Sequence, residues 1–270
     1  MEKLKFSVSM CVYGGDDPDN FRQALESVYD QTCPPDEVVL VVDGPVSEEI
    51  NDIVSFYEKE KSLIAVRLPE NVGHGNARRT GFERCSHNYI AIADADDINA
   101  RTRFERQIQC FEKDIELSVV GSGVYHFVGN INNIASIKKF PITDIGIKKL
   151  LKRRCPVAQP SVMLKKQEVE KAGGYLDWYH AEDYYLWIRM YLSGAKFYNL
   201  KDYCVYMRKS KDQMKRRGGF RYFRSMCKLF RFMRMNKIIG WPLYFFNVIS
   251  RFIVQILMPN KLRSYIRKKM

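Results

Sequence analysis

The stretch Asp94-Ala95-Asp96-Asp97 puts three carboxylates at the end of an apolar run, Tyr89-Ile90-Ala91-Ile92-Ala93. Carboxylates are hard oxygen donors, and a cluster of them suits Mg²⁺ or Mn²⁺, ions that commonly also meet substrate phosphates. The same residues also make an acidic turn in which Asp97 caps a helix, so the pattern alone leaves both readings open. A second acidic pair, Glu182-Asp183, opens an amphipathic stretch. Carboxylates favour helix N-termini through capping and the dipole. One held at a helix start beside a crevice can also act as a general base. The four histidines, 74, 87, 126 and 180, show no metal-ligand spacing and read as loop or surface residues. His180 lies just before the acidic pair and is a candidate to touch a bound substrate by proximity. Trp178 and Tyr179 are candidates to stack on a ligand face, with core packing as the alternative, and Trp187 reads as core.

Elements that would position these residues follow from hydrophobic periodicity. Strands are expected at 6–13, 37–42, 63–68, 89–93, 119–127, 161–165 and 196–208. Helices are expected from a cap at Asp19 or Asn20 through Val28, and over 47–61, 76–85, 104–113, 144–154 and 182–193, the last closed by Gly194. Strand–helix alternation with near-continuous apolar strands implies an open, mostly parallel sheet covered by helices. Ligands bind such sheets beyond the carboxyl ends of the strands. Asp43, the loop from Asn71 and Asp94–Asp97 all fall at ends of that kind, around one crevice.

Seven segments in order resemble family 2 glycosyltransferases. They are Ser7-Val-Ser-Met-Cys-Val-Tyr13, Leu25-Glu-Ser-Val-Tyr-Asp-Gln-Thr32, Asp36-Glu-Val-Val-Leu-Val-Val-Asp-Gly-Pro45, Asn71-Val-Gly-His-Gly-Asn-Ala-Arg78, Asp94-Ala-Asp-Asp97, Gln159-Pro-Ser-Val-Met163 and Glu182-Asp-Tyr-Tyr-Leu-Trp-Ile-Arg189. The series spans about residues 6–208 and looks closest to bacterial enzymes that assemble cell-surface polysaccharides. The resemblance implies an α/β GT-A fold and inverting transfer from a nucleotide-diphosphate sugar, with uracil the expected base. It implies that Val12 and Tyr13 line the base pocket, Asp43 bonds the base, Arg78 helps hold the nucleotide and Asp94 faces the ribose. Asp96 would bind a Mn²⁺ or Mg²⁺ ion. Asp183 would be the catalytic base, with Glu182 the second choice; His180 would touch the acceptor or the diphosphate, and Trp178 or Tyr179 would stack on a sugar face. Two positions depart from the family pattern: Arg79 stands where many relatives have Asn, and Gln159 where many have His.

Composition adds a partner. The chain has 270 residues and a net charge of +13. From residue 201 onward there are 19 Lys and Arg but only two acids, Asp202 and Asp212, so a mildly acidic body carries a basic tail. That asymmetry points to a polyanionic surface. Arg221, Arg224, Lys228 and Arg231 share one stripe of a helix over 220–234. Residues 238–258 are largely apolar, with Asn247, Ser250, Arg251 and Gln255 as a narrow polar stripe. Pro242 and Arg251 argue against a spanning helix and for one lying in the membrane interface. Lys261, Arg263, Arg267, Lys268 and Lys269 would then meet anionic headgroups. The alternative is that these helices pack on the body and leave a solvated basic face. The expected division is a catalytic domain over 1–210, with a nucleotide-sugar half to about 98 and an acceptor half after it, and a tail over 211–270.

Seven cysteines without a C-x-x-C pair argue against a disulfide framework or zinc site and for reduced thiols. No signal region is read at the N-terminus. The expected place is therefore cytoplasmic, peripheral on the inner face of the cell membrane, with a glycan or lipid-linked acceptor. Nucleic-acid binding by the tail would leave the acidic crevice unexplained, and no nucleic acid is expected. A nucleotidyltransferase would want a glycine-rich loop that Gly14-Gly15-Asp16 matches poorly. A scaffold with a degenerate site is disfavoured by the intact Asp94, Asp96 and Asp183.

Overall fold

Both faces of the first strands are covered, which is why their sequences are nearly all apolar. In the computed structural model, which describes residues 4–209 and 219–258, the chain runs β1 (Phe6–Tyr13), α1 (Pro18–Tyr29), β2 (Glu37–Asp43), α2 (Glu48–Lys61), β3 (Ile64–Arg67), α3 (His74–Arg84), β4 (Tyr89–Asp94) and β5 (Ile98–Asn99). It continues through α4 (Arg103–Lys113), β6 (Leu117–Val128), β7 (Asn130–Lys138), α5 (Asp144–Leu151), a 3₁₀ turn (Gln159–Ser161), β8 (Met163–Lys165), α6 (Lys166–Lys171), α7 (Glu182–Leu192) and β9 (Lys196–Arg208). Two helices follow, α8 (Gly219–Met235) and α9 (Trp241–Phe252), the second running into a π-helical turn (Ile253–Leu257).

These strands form one mixed sheet in the order β3-β2-β1-β4-β8-β6-β9-β5, with β7 on the side of β6. The expected parallel pairing holds across β3-β2-β1-β4 and again between β6 and β9. Antiparallel pairs add β8, β5 and β7. Alternate residues of one strand feed different cores. Val38, Leu40 and Val42 pack with α1, α2 and α4, and Val39 packs on the other face with Phe82 and Trp187.

The strand order reverses at β1, with β2 and β3 on one side and β4 on the other. Such a reversal opens a crevice at the carboxyl ends. Register brings Tyr13 beside Asp43 and Cys11 beside Asp94 there.

Several boundaries differ from expectation for local reasons. Asp17, not Asp19 or Asn20, caps α1, its carboxylate accepting from Asn20 N at 2.9 Å, because Pro18 occupies the first helical position. Helix α3 begins at His74, two residues early, after Gly73 at φ +86°. Ser161 closes the 3₁₀ turn instead of opening β8. β5, β7 and α6 were not read from the sequence. β7 is largely exposed and asparagine-rich, so it carries no clear alternation. Gly194 follows α7 at φ +88°, the left-handed stop expected there.

Helix α8 lies on the body. Its Tyr222, Met226, Leu229, Phe230 and Met233 belong to the same core as Trp187 and Ile188 of α7, while Arg221, Arg224, Lys228 and Arg231 stay exposed. The expected catalytic segment and the first tail helix thus share a core. The expected headgroup contacts at Lys261, Arg263, Arg267, Lys268 and Lys269 lie outside the described residues.

Candidate active site

Asp43 ends β2 and is buried. Its Oδ1 accepts from Val72 N at 2.7 Å, and Asn71 Nδ2 donates to its carbonyl at 3.2 Å. The next residue, Gly44, has φ +82°, and a Cβ there would lie 2.6 Å from Asn71 N. Only glycine lets the Asn71 loop close on the strand end this way. Tyr13 is half-exposed and lies against Gly15, where an added Cβ would lie 2.6 Å from the ring. Val12, expected to line the same pocket, is buried in the core beside Val42 of β2, so its side chain does not face the crevice.

The acidic turn follows β4. One oxygen from each of Asp94, Asp96 and Asp97 lies within 4.8 Å of the others. Burial, then the charges of Asp94 and Asp16, push the Asp96 carboxyl up to about 6. Burial, then Asp96 and Asp94, also push Asp97 well above the usual carboxylate range. Crowded hard oxygen donors of this kind fit a divalent cation, whose charge would offset their mutual repulsion.

Two arginines hold the turn. Arg78 on α3 is buried, with one guanidinium nitrogen 2.5 Å from Asp94 Oδ1 and the other donating to the carbonyls of Ala93 at 3.2 Å and Ser9 at 3.4 Å. The resemblance implies that it helps hold nucleotide; its own hydrogen bonds fix Asp94 and the ends of β1 and β4. Arg208, at the end of β9, donates its main-chain N–H to Asp97 Oδ1 at 2.9 Å and its Nε to the Asp96 carbonyl at 3.2 Å. Its guanidinium also lies 4.6 Å from the centre of the Phe127 ring. Sequence reading missed Arg208 because its partner residues are more than a hundred positions away.

The chain of contacts continues from Arg78 to the second acidic pair. The same Arg78 nitrogen that meets Asp94 lies 3.4 Å from His74 Nε2, and His74 Nδ1 lies 2.8 Å from Glu182 Oε1. Desolvation is the largest influence and works against the charge of both partners, but their hydrogen bond and the surrounding opposite charges together outweigh it. Glu182 is held below its usual range and His74 above its own. His74, read from sequence as a loop or surface residue, therefore joins the acidic turn to the first turn of α7.

Asp183 sits beside this pair. Its Oδ1 accepts from Tyr184 N at 2.6 Å, and the Cys155 thiol donates to its Oδ2 at 3.6 Å. Burial, then the Asp183 charge, pushes the Cys155 thiol well up, so it remains a neutral donor. Arg189, at the other end of the motif, donates to the carbonyls of Ala172 and Gly174, both at 2.7 Å, and so fixes the turn that leads to residues 178–181. In that segment Trp178 packs its ring 4.2 Å from Tyr185, and His180 is exposed in the left-handed region at φ +52°. Trp187 is fully buried, as expected. Gln159 donates to the Tyr175 hydroxyl at 3.0 Å, while Arg79 makes an exposed pair with Glu83.

Comparison with known proteins gives a consistent result. The family model described as "Glycosyl transferase family 2" matches residues 7–174. The chain is 36% identical over 266 residues to the UDP-Gal:alpha-D-GlcNAc-diphosphoundecaprenol beta-1,3-galactosyltransferase of Escherichia coli, covering 98% of this chain and 96% of that one. It is 33% identical over 268 residues to the amylovoran biosynthesis glycosyltransferase AmsE of Erwinia amylovora, covering 98% of each. Among solved structures, S. aureus TarS 1–349 in complex with UDP-GlcNAc is similar with a TM-score of 0.64 at 17% identity, covering 84% of this chain and 66% of that one. That likeness is one of fold.

Proposed function

The chain belongs to glycosyl transferase family 2, and from that premise we propose an inverting transfer of a sugar from a UDP-sugar to a hydroxyl of a lipid-linked glycan acceptor, in surface polysaccharide assembly. The observation that carries this reading is the continuous chain Asp94–Arg78–His74–Glu182, which ties the acidic turn to the helix that bears Asp183. UDP-galactose is the first donor to test, because the relative at 36% identity is named for it.

Asp43 and Tyr13 bind the base at the carboxyl ends of β2 and β1, and Asp94 orients the ribose. Arg78 acts through Asp94, holding it in place. Asp96, with Asp94 and Asp97 beside it, would hold a Mn²⁺ or Mg²⁺ ion, which when bound supplies Lewis-acid stabilisation of the negative charge on the departing diphosphate. Asp183 takes the proton of the acceptor hydroxyl as that oxygen attacks the anomeric carbon and the bond to the diphosphate breaks. One displacement inverts the anomeric centre. Glu182 is paired with His74 and serves as a positioning residue, while Asp183, which meets a backbone N–H and the neutral Cys155 thiol, is the base. Trp178 and His180 stand at the acceptor side. The protein works as a peripheral protein at the inner face of the cell membrane, where its acceptor resides, and its basic C-terminal segment meets anionic lipid.

The test is release of UDP from a panel of nucleotide sugars with Mn²⁺ and with EDTA, in the presence of a polyprenol-diphosphate-linked sugar. The expected outcome is metal-dependent release from one donor that Asp96→Ala abolishes. Equal release in EDTA would remove the metal from the reading. Absence of both turnover and UDP binding would overturn the enzyme reading.

A further inference from the structure

Helix α9 carries apolar residues on two sides: Leu243, Tyr244 and Val248 pack against the core, and a second apolar face turns outward. A surface helix ordinarily turns its apolar stripe to the core and its polar residues to water. Here Asn247 and Gln255 are the buried residues, at 3% and 1% exposure. Asn247 Nδ2 donates to the Lys152 carbonyl at 2.9 Å, and Arg251 reaches the Arg153 carbonyl at 3.5 Å. Outward, Trp241, Phe245, Phe246, Ile249, Phe252 and Leu257 are 40–62% exposed. Their spacing, near multiples of four with adjacent companions, places them along one side of the helix and its π-helical extension. Contiguous apolar surface of this kind marks an interaction site.

Charge around the face says what covers it. Residues 219–258 contain seven Lys and Arg and no Asp or Glu. Two cations sit on the aromatic rings themselves. The Arg234 guanidinium is 4.5 Å from the centre of the Trp241 ring, and that of Arg153 is 5.6 Å from the centre of Phe246. Aromatic rings beside guanidinium groups match the boundary between acyl chains and anionic headgroups. A second copy of the chain would set one cationic rim against another, and like charges across an interface repel. No helix among the described residues is long and apolar enough to cross a membrane, so the face would lie along the bilayer surface.

The helix pair is also fixed to the catalytic side of the molecule. Ser225 Oγ of α8 donates to the Tyr179 carbonyl at 2.8 Å, and Arg221 lies 4.1 Å from the centre of the Tyr179 ring. Asn247 and Arg251 of α9 hold residues 152 and 153, just before Cys155, whose thiol meets Asp183. Both segments that flank Asp183 are therefore braced by the two C-terminal helices.

We propose that the outward aromatic face of α9 docks in the interfacial layer of an anionic membrane and holds the acceptor side of the site at the bilayer surface. This deepens the reading of a membrane-borne acceptor and rests on it for its purpose, but its test needs no sugar transfer. Full-length protein is floated with phosphatidylcholine vesicles, with and without phosphatidylglycerol, and compared with F245S/I249S. Both substitutions lie on the exposed face. The expected result is wild-type flotation that depends on phosphatidylglycerol, reduced about tenfold or more in the double variant, with melting temperature and UDP binding unchanged. Failure of the wild type to float would overturn the proposal, as would equal flotation of the variant. A wild-type dimer that F245S/I249S dissociates, without an effect on flotation, would assign the face to a second copy instead. Normal flotation with no transfer to a polyprenol-linked acceptor would count against the proposed reaction and leave the docking face standing.

Discussion

The proposed donor side and the proposed acceptor side of the crevice are built by different means. On the donor side Tyr13, Asp43 and Asp94 end neighbouring parallel strands, and the turns that follow carry the other carboxylates, with the Asn71 loop, Arg78 and Arg208 as braces. Asp43 precedes a glycine at positive φ, and Asp94–Asp97 make their own turn. On the acceptor side, position depends on contacts between distant segments: Glu182 on His74, Asp183 on Cys155, and Tyr179 on Ser225. Local construction makes a site that short motifs reveal. Long-range construction makes one in which the acidic pair is visible in the sequence but its supports are not.

The largest effect should come where the acceptor side carries the chemistry. Asp183→Asn keeps the shape of the side chain and removes its basicity. We expect transfer to fall on the order of 10³-fold while UDP affinity stays close to that of the wild type. Glu182→Gln should cost far less, since it weakens a bracing contact. Equal losses in the two variants, measured by initial rates and by UDP titration, would mean that the base is not localised at Asp183.

On the donor side, the sharpest test is Gly44→Ala. The substitution must hold φ +82° with a Cβ pressed on the Asn71 backbone. The expected cost is about 1–3 kcal/mol of stability, read by chemical denaturation, together with weaker UDP binding as the Asn71 loop lifts from Asp43. A variant with unchanged stability would show that the loop yields easily and that the donor side is less rigid than its geometry indicates.

Arg208→Ala probes a long-range support of the acidic turn. It removes side-chain bonds to the carbonyls of Asp96 and Gly129 and to Gln23, along with the contact on Phe127. The main-chain bond to Asp97 remains possible. We expect a loss of about 1–2 kcal/mol in stability and a weaker response to added Mn²⁺, measured by melting with and without the ion.

These contrasts explain how much was legible in advance. The alternation of apolar strands with helices announced the layered sheet, because burial on both faces leaves little room for polar residues in β1, β2 and β4. The carboxylates stood out because three at a strand end are chemically conspicuous. Arg208, His74 and Cys155 did not, since each is an ordinary residue until folding brings it to a partner far away in sequence. β7 was missed because its exposed face imposes no alternation. The C-terminal helices were recognised as amphipathic, but which stripe faces the protein is decided by the carbonyls of Lys152 and Arg153 that Asn247 and Arg251 meet.

The smallest effect, and the one that tests the joint between the two sides, is expected from His74→Gln. The His74 side chain is 54% exposed and that of Glu182 16%, so solvent screening limits their pair to within about 1 kcal/mol. Its pH dependence is nevertheless specific. His74 is raised above its usual value, so its contribution is fully present below about 6.5 and is lost as pH rises through the folded value. Glu182 is lowered, so its contribution is fully present above about 4.3 and is lost as pH falls through its folded value. The stability difference between wild type and His74→Gln should therefore be greatest between these limits and shrink on either side. Denaturation of both proteins across a pH series measures it directly. A difference that grows from neutral to alkaline pH would mean that neutral imidazole, not the ion pair, joins α3 to α7. Asp183 would then be positioned by packing, with no charge linking it to the donor side.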